Sequence, residues 1–230
     1  MKSRTFVLLY LLLMILNQSC TSNFINPPPE EQLVIHCVLL SSQQRQKALI
    51  SQVVPNDQNA YETRDDVLVY IDSTPLKNID TGASIEPYNF YTDSLLVSPG
   101  DLYTLTVTSA DFGESTGEVA VPGPFEIIGL VDSLTVAWTR SQNAFAYSVS
   151  LYDAATRSVK FRKTVLDTML HLPNTLLYGE YILEVKAVES NYYAYFVEKK
   201  LQAGLKNAVG VFAAITTRDK LVSIRVKPIP

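Results

Sequence analysis

Apolar and polar residues alternate along most of the chain, and the alternation begins at Leu33. In the segment LVIHCVLL the residues Leu33, Ile35, Cys37 and Leu39 share one face, because successive side chains of a strand point to opposite faces. Further short segments are rich in Val, Ile, Leu, Tyr and Thr: KALISQVV, DVLVYID, LYTLTVTSAD, STGEVAV, SLTVAWTR, AYSVSLYD, SVKFRKTV, EYILEVKAVE and KLVSIRVK. The pattern predicts an all-β protein whose strands are separated by turns of Pro, Gly, Asn and Asp.

The best helical candidate is residues 194–206, AYFVEKKLQAGLK, where good helix formers occur without an obvious N-cap. Near the C-terminal end, the segments VGVFAAITT and LVSIRVK both have the composition of strands. We expect these two segments to pair with each other and to belong to the second half of the protein.

A weak internal repeat predicts two sandwich domains. VSPGDLYTLTVTSAD (97–111) and LLYGEYILEVKAVES (176–190) each place a turn glycine before a tyrosine, Tyr103 or Tyr181, that opens an alternating strand. Such a tyrosine, bonded back to the preceding loop, is the tyrosine corner of Greek-key sandwiches. We expect an immunoglobulin-like β-sandwich over 31–122 and a second sandwich with a C-terminal extension over 123–230, joined at the Pro-Gly segment VPGPF.

Residues 124–190 resemble a fibronectin type III domain. Trp138 in DSLTVAWTRS sits where the second strand of that family carries its core tryptophan, AFAYSVSLYD follows as the third strand, and YGEYILEVKAVE is similar to the sixth. The approach to the tyrosine corner departs from the family, because the usual Leu-x-Pro-x-Thr-x-Tyr is shortened to Leu177-Tyr178-Gly179-Glu180-Tyr181.

A broader resemblance covers most of the chain. PPPEEQLVIHCVLLSSQQ, SPGDLYTLTVTSADFGESTGEVAVPGPFEI and the later NAVGVFAAITT are similar, in that order, to uncharacterised envelope lipoproteins of the Bacteroidota and related bacteria. The late motif of those proteins is richer in glycine. The resemblance implies a location and a layout, an immunoglobulin-like domain followed by a second β domain, and no activity.

The N-terminus predicts export. Lys2 and Arg4 precede an apolar run from Phe6 to Leu16, which is the organisation of a signal peptide over residues 1–19 and is short for a spanning helix. Ser19-Cys20 has the form of a bacterial lipoprotein cleavage site, so we expect lipid attachment at Cys20 and a tether over 20–30. Asn17 departs from the usual Leu three places before the cysteine, and leaves ordinary signal cleavage or an uncut anchor as alternatives. The predicted localisation is the cell envelope, anchored by lipid to the outer membrane and facing either the periplasm or the exterior.

Charge and cysteine content restrict the partners and the source of stability. The formal net charge of −4 and the absence of a basic stripe argue against nucleic acid as a partner. Of the two cysteines, Cys37 has no partner if Cys20 carries lipid, so hydrophobic cores must hold the fold without disulfides. We expect Cys37 to be a buried, inert thiol.

The chemistry-bearing residues are sparse. The two histidines, His36 and His171, lie in predicted strands, and we interpret both as structural or surface residues. Neither a zinc-ligand spacing nor a nucleophile elbow occurs in the sequence. Strand-end carboxylates could bind Ca²⁺, but they lack a regular ligand spacing and are better interpreted as solvating groups: Asp65, Asp66, Asp72 and Asp80. We therefore predict no enzyme activity, no catalytic residue, no metal and no cofactor.

Two aromatic clusters remain as candidate contact surfaces. For SNYYAYF (190–196) we favour core or interdomain packing, whereas Tyr88, Phe90 and Tyr91 in EPYNFYTD (86–93) are candidates for contact with a ligand or partner. The functional hypothesis is a non-enzymatic envelope lipoprotein that presents its sandwiches to a protein partner, as an accessory to an outer-membrane complex. The alternative is a carbohydrate-binding lipoprotein of a glycan-uptake system, with these aromatic residues as its platform.

Overall fold

A computed structural model describes residues 31–53, 61–79, 88–176 and 178–224. The described residues of the first part of the chain form nine strands: β1 Leu33–Leu40, β2 Gln46–Val53, β3 Tyr61–Thr63, β4 Leu68–Ile71, β5 Thr74–Pro75, β6 Lys77–Asn78, β7 Phe90–Thr92, β8 Leu102–Ser109 and β9 Gly113–Ala120. Those of the second part form nine more strands and one helix: β10 Ile127–Leu130, β11 Thr135–Trp138, β12 Ala146–Asp153, β13 Val159–Val165, β14 Met169–His171, β15 Gly179–Val188, α1 Ser190–Phe196, β16 Gln202–Ala203, β17 Leu205–Lys206 and β18 Val209–Ile224. The prediction of an all-β fold is confirmed.

The strands form one large sheet and two smaller ones. The ten-stranded sheet has the order β13-β12-β15-β18-β1-β2-β7-β6, with β16 on β18 and β3 on β2. A five-stranded sheet, β17-β9-β8-β4-β5, and a three-stranded sheet, β10-β11-β14, are the other layers. The small sheets pack on different parts of the large one, and each contact encloses a hydrophobic core.

The first core lies between β1 and β2 of the large sheet and β4, β8 and β9 of the five-stranded sheet. Ile35, Cys37 and Leu39 of β1 each have 0% exposure, which confirms the predicted face of this strand. The second core lies between β12, β15 and the end of β18 on one side and β11 on the other, and it contains Trp138. Two sheets enclosing alternate residues in this manner are the β-sandwich arrangement.

A single strand, β18, belongs to both sandwiches. Residues 209–215 pair in parallel with β1, from Val34↔Val209 to Leu40↔Ile215. Residues 215–224 pair antiparallel with β15, from Val188↔Ile215 to Gly179↔Ile224. The pairing partner of β18 therefore changes from β1 to β15 at Ile215. Phe212 and Ala214 of this strand lie in the first core, whereas Val222 and Ile224 lie in the second.

The predicted pairing of VGVFAAITT with LVSIRVK is wrong, because their described residues are consecutive parts of β18. The helical prediction for 194–206 is also wrong in its extent, since α1 spans Ser190–Phe196 and Glu189 is its N-cap. Residues 202–206 instead pair with β18 and β9 as two short strands. Gly204 between them has a φ of +69°, and a Cβ there would lie 2.4 Å from the carbonyl oxygen of Phe212, so close sheet pairing overrides the helix propensity of this segment.

The tyrosine corner predicted at Tyr103 is present: the backbone N–H of Ser98 donates to its hydroxyl at 2.9 Å. The corner predicted at Tyr181 stays a prediction, although this side chain is buried in the second core. A comparable bond that the sequence did not reveal joins the N–H of Ser141 to the hydroxyl of Tyr147, at 2.8 Å.

The junction near residues 121–125 is held by hydrogen bonds rather than left as an exposed linker. The hydroxyl of Thr216 in β18 donates to the carbonyl of Pro122, and the hydroxyl of Ser141 donates to the carbonyl of Gly123. Val121 and Phe125 are buried in the first and second cores respectively. The division of the chain into domains at 122/123 stays a prediction. No helix within the described ranges has both the length and the apolar character required to cross a membrane.

The inert character of Cys37 can be tested directly. Burial raises the pKa of the Cys37 thiol to about 12, so almost no thiolate forms at pH 8 while the protein is folded. In a Cys20→Ser variant we expect a thiol-specific disulfide reagent to leave Cys37 unmodified until urea is added, as measured by absorbance of the released thiol. Full modification of the folded protein would contradict the buried position.

The shared strand predicts that the two sandwiches unfold together. Gly210 has a φ of +103°, and a Cβ there would lie 2.2 Å from the backbone oxygen of Ile35 in β1. We expect Gly210→Ala to lower the free energy of unfolding by at least about 2 kcal/mol, because the strained backbone and the steric clash act together. Since Trp138, the single tryptophan, lies in the second core, its fluorescence in urea reports whether damage at β1 reaches that core.

Gly100→Ala is the matched control for this prediction. Gly100 also has a positive φ, +96°, but no atom within 4 Å would meet a Cβ at this position. The Ala variant therefore has the backbone strain without the steric clash. We expect a smaller shift for this variant. A Trp138 transition that is unchanged in Gly210→Ala, while circular dichroism shows loss of strands, would mean that the two sandwiches unfold independently.

Candidate functional site

A groove of about 720 Å³ lies on the outer face of the large sheet, beside the helix α1. This face is opposite to the first core, because Ile35, Cys37 and Leu39 point inward and the residues between them point outward. The floor of the groove is aliphatic and comes from β1, β2 and β18: Val38, Leu40, Leu49 and Ile215. The site therefore lies where β18 joins the two sandwiches.

The helix α1 forms one wall of the groove. Tyr192 and Phe196 are four residues apart, which places them on the same helix face, and their ring centroids are 4.5 Å apart. Both rings line the groove, and Phe196 is 39% exposed. Tyr195 on the same helix holds His36 of β1, with 2.6 Å between its hydroxyl oxygen and His36 Nε2.

The buried carboxylate of Glu189 fixes the start of α1. The backbone N–H groups of Asn191 and Tyr192 donate to its two oxygens at 2.6 and 2.7 Å. These bonds satisfy two of the N–H groups that a helix leaves unpaired at its first turn. Asn191 then donates through its amide to the carbonyl of Phe212 at 3.2 Å, so the helix is attached to β18 as well as capped.

The opposite rim of the groove carries basic and aromatic side chains. Arg45 and Lys47 come from β2 and its approach, and Tyr88 precedes β7. The Lys47 ammonium lies 5.5 Å from the centre of the Tyr88 ring, within the range of a cation–π contact. Arg45 lies 4.9 Å from the ring of Tyr91 and forms an exposed ion pair with Asp93 at 3.3 Å.

The structure separates the three aromatic residues that the sequence suggested as one contact surface. Tyr88 is 36% exposed and lines the groove. Tyr91 lies outside the groove beneath Arg45, and Phe90 is 2% exposed within the first core. Phe90 and Tyr91 are adjacent in β7 and therefore point to opposite faces of the sheet. The predicted lipid attachment site, Cys20, lies outside the described residues.

Most residues of the groove were not singled out from the sequence. Arg45 and Lys47 have the two-residue spacing of a strand face, but basic residues at that spacing are typical of any exposed strand. The sequence favours packing for Tyr192 and Phe196. Tyr192 packs partly against residues of the sheet, Phe196 contacts the rings of Tyr192 and Tyr195, and both residues line the groove. The spacing of four in SNYYAYF was the signal that could have identified this wall.

The other chemistry-bearing residues have structural partners. His171 lies 3.1 Å from the hydroxyl of Thr135, and Asp66 accepts a two-fold hydrogen bond from Arg64. Asp72 accepts from the backbone of Thr104, Asp65 accepts from Asn89, and Asp80 lies outside the described residues. Over the described part of the chain, no three His, Cys, Asp or Glu side chains are grouped so that they could hold a metal ion.

The ionisation of Glu189 predicts a pH dependence of stability. Burial raises the pKa of this carboxyl above its ordinary value. At a pH between the ordinary and the raised pKa, the folded protein therefore retains a proton that the unfolded chain has lost. We expect the free energy of unfolding of the wild type to fall as pH rises from about 4 through the raised pKa, because ionisation is then more favourable in the unfolded chain. Glu189→Gln has no ionisable group at this position, so its free energy of unfolding lacks this dependence on pH. As pH rises, the free energy of unfolding of the wild type should therefore fall relative to that of the variant.

Urea unfolding at about pH 4, 5.5 and 7 measures this difference. Glu126→Gln removes an exposed carboxylate and is the control for a general effect of charge. Parallel pH curves for wild type and Glu189→Gln would contradict the prediction.

No protein-family model matches the chain, and no curated protein matches it. Solved structures do match, among them a crystal structure of domains from titin. The titin chain is 11% identical, with a TM-score of 0.25, and the match covers 84% of this chain and 67% of the titin chain. The all-β sandwich fold of this protein follows from its own strand pairing and its two cores.

Proposed function

We propose that this protein is a lipid-anchored component of the bacterial cell envelope whose β-sandwich modules bind another envelope protein, as an accessory to an outer-membrane complex. The observation that carries the proposal is the groove beside α1, with its aliphatic floor, aromatic wall and basic rim. The proposed anchor, Cys20, is supported by the signal-like N-terminus.

The composition of the groove favours a binding role. Aromatic and Arg side chains dominate the energetics of protein interfaces, because they combine a large apolar area with hydrogen-bonding capacity. Tyr192, Phe196 and Arg45 supply these residue types around an aliphatic floor, whose side chains are partly buried or, at Ile215, buried. A concave apolar surface with a few polar groups at its edge is the usual form of a ligand site.

A second candidate function is carbohydrate binding in a glycan-uptake system. The exposed ring of Tyr88 at the rim favours it, because an exposed aromatic face can stack on a sugar ring. Under this alternative, binding of oligosaccharides on a glycan array should be lost in Tyr88→Ala. Tyr91→Ala should weaken it also if the surface extends beyond the groove.

The lipid anchor is tested by mass spectrometry of the mature N-terminus. We expect an N-terminal Cys20 bearing acyl chains in the membrane fraction, and release of the protein from membranes in Cys20→Ser. A mature N-terminus at another residue, or an unprocessed chain, would contradict the anchor.

Protein binding is tested by site-specific photo-cross-linking in the native envelope. A photoreactive phenylalanine analogue in place of Phe196 should give a discrete adduct with one envelope protein, because this ring lies on the wall of the groove. The matched control is the analogue in place of Val159 on β13, which is similarly exposed at 51% but lies at the far edge of the large sheet. Equal adducts at both positions, or none at either, would count against binding at the groove.

A further inference from the structure

We infer that the groove beside α1 binds a short acidic and apolar peptide segment of a partner protein. Aliphatic or aromatic side chains of the segment would lie on the floor, and its carboxylates would meet Arg45 and Lys47 at the rim. This inference rests on the proposed function in protein binding and names the chemistry of the partner.

The charged side chains among the described residues that line the groove are opposite in sign to the net charge of the chain. Among the described residues that line it, the permanently charged side chains are Arg45 and Lys47, and both are basic. The chain as a whole carries a formal net charge of −4. A local basic rim on an acidic protein selects an anionic ligand, since charge complementarity across an interface determines which partners associate.

The ionisation of His36 does not change this sign. Burial lowers the pKa of His36, so its imidazole is predominantly neutral at pH 7. Tyr195 also holds its Nε2 atom. The basic side chains of the groove, Arg45 and Lys47, therefore lie at its rim, which leaves the aliphatic floor for an uncharged part of the ligand.

The contact of Arg45 with Asp93 does not remove its capacity to bind a ligand. Their ion pair joins the Nε atom of Arg45 to Asp93, and both side chains are more than half exposed. An exposed pair of this kind contributes little free energy, so a ligand carboxylate can compete with Asp93. The guanidinium also presents its terminal N–H groups in a fork that suits a carboxylate.

The lining favours a peptide over a neutral glycan. A sugar presents many hydroxyl groups that require both donors and acceptors, and carboxylates are the strongest acceptors among side chains. The described residues that line the groove include no Asp or Glu, and four of them form an aliphatic floor. Burying sugar hydroxyls on that floor without partners would cost free energy, whereas apolar peptide side chains gain from it.

The volume limits the length of the segment. About 720 Å³ lies within the range of compact ligand sites, which is roughly 300–1,000 Å³. A few residues of a partner therefore fill the groove, and the rest of the partner surface contributes outside it. The expected motif is one or two apolar anchors flanked by Glu or Asp.

The test uses a fluorescent, acetylated and amidated heptapeptide, Glu-Leu-Glu-Phe-Glu-Leu-Glu, with the full mature lipoprotein in detergent. Fluorescence anisotropy should show saturable binding that weakens at about 0.5 M NaCl, because salt screens partly exposed charge pairs. Two further peptides separate charge from apolar contact: one has Lys in place of each Glu, and one has Ser in place of Leu and Phe. Both should bind at least about tenfold more weakly, which corresponds to about 1.4 kcal/mol.

Substitutions locate the site. Arg45→Glu should weaken binding of the acidic heptapeptide by about tenfold or more, since it removes a cation and adds a like charge. Lys163→Glu is the matched control, because it makes the same change of charge on the exposed edge strand β13. Phe196→Ala should weaken binding by several-fold, with Val159→Ala as its control. The fluorescence of Trp138 checks that each variant is folded.

The outcomes distinguish this inference from the proposed function. Equal binding of the Lys and Glu peptides, equal effects of Arg45→Glu and Lys163→Glu, or binding of a neutral linear hexasaccharide alone would overturn the acidic peptide assignment. A specific cross-link from position 196 with no affinity for the acidic heptapeptide would retain protein binding and reject this ligand chemistry. Affinity for the heptapeptide without any cross-link in the envelope would retain the site chemistry and reject the proposed envelope partner.

Discussion

The backbone pairing of β18 is the interaction on which the rest of the structure depends. Its first half joins β1 in parallel and its second half joins β15 antiparallel, and the change of partner occurs at Ile215. Residues 211–216 are buried, whereas the exposed positions of the strand cluster in its second half. A strand that is covered on both faces must be mainly apolar, which accounts for the sequence VFAAIT. The first core thus depends on residues of β18 that follow the strands β10 to β15 of the second sandwich in the chain.

The position of the groove follows from this continuity. Because the large sheet runs without a break through β15, β18, β1 and β2, its outer face presents Ile215 beside Leu40. The helix that covers part of this face is attached to β18 by Asn191 and is started by the buried Glu189. A shift of β18 would therefore move the floor and the wall together. The rim is less dependent on it, since Arg45 and Lys47 belong to the β2 side of the sheet.

The sequence predicted local features well and long-range ones poorly. The bounds expected for β1 and β12 are those of the structure, and Cys37 and the corner at Tyr103 lie as expected, because these features depend on two-residue alternation and short turns. The single strand β18 was missed because the polar stretch Thr217-Arg218-Asp219-Lys220 resembles a turn, although those residues pair with β15. Glu189 was missed as an N-cap because Ser, Thr, Asp and Asn are the usual residues there. For the site, Tyr88 alone of the predicted aromatic residues lines the groove.

A groove built on the shared strand couples ligand binding to the stability of both sandwiches. A ligand that touches Leu40, Tyr192 and Ile215 contacts β1, the helix and β18 at once, so it binds only while these elements are assembled. A ligand that binds the folded state and not the unfolded one raises the free energy of unfolding. At concentrations well above the dissociation constant, this increase is proportional to the logarithm of the ratio of ligand concentration to dissociation constant. Since β18 contributes to both cores, we expect that stabilisation to extend beyond the sandwich that carries the rim. A site located on the five-stranded or the three-stranded sheet would contact one core, and its occupation would act mainly on that sandwich.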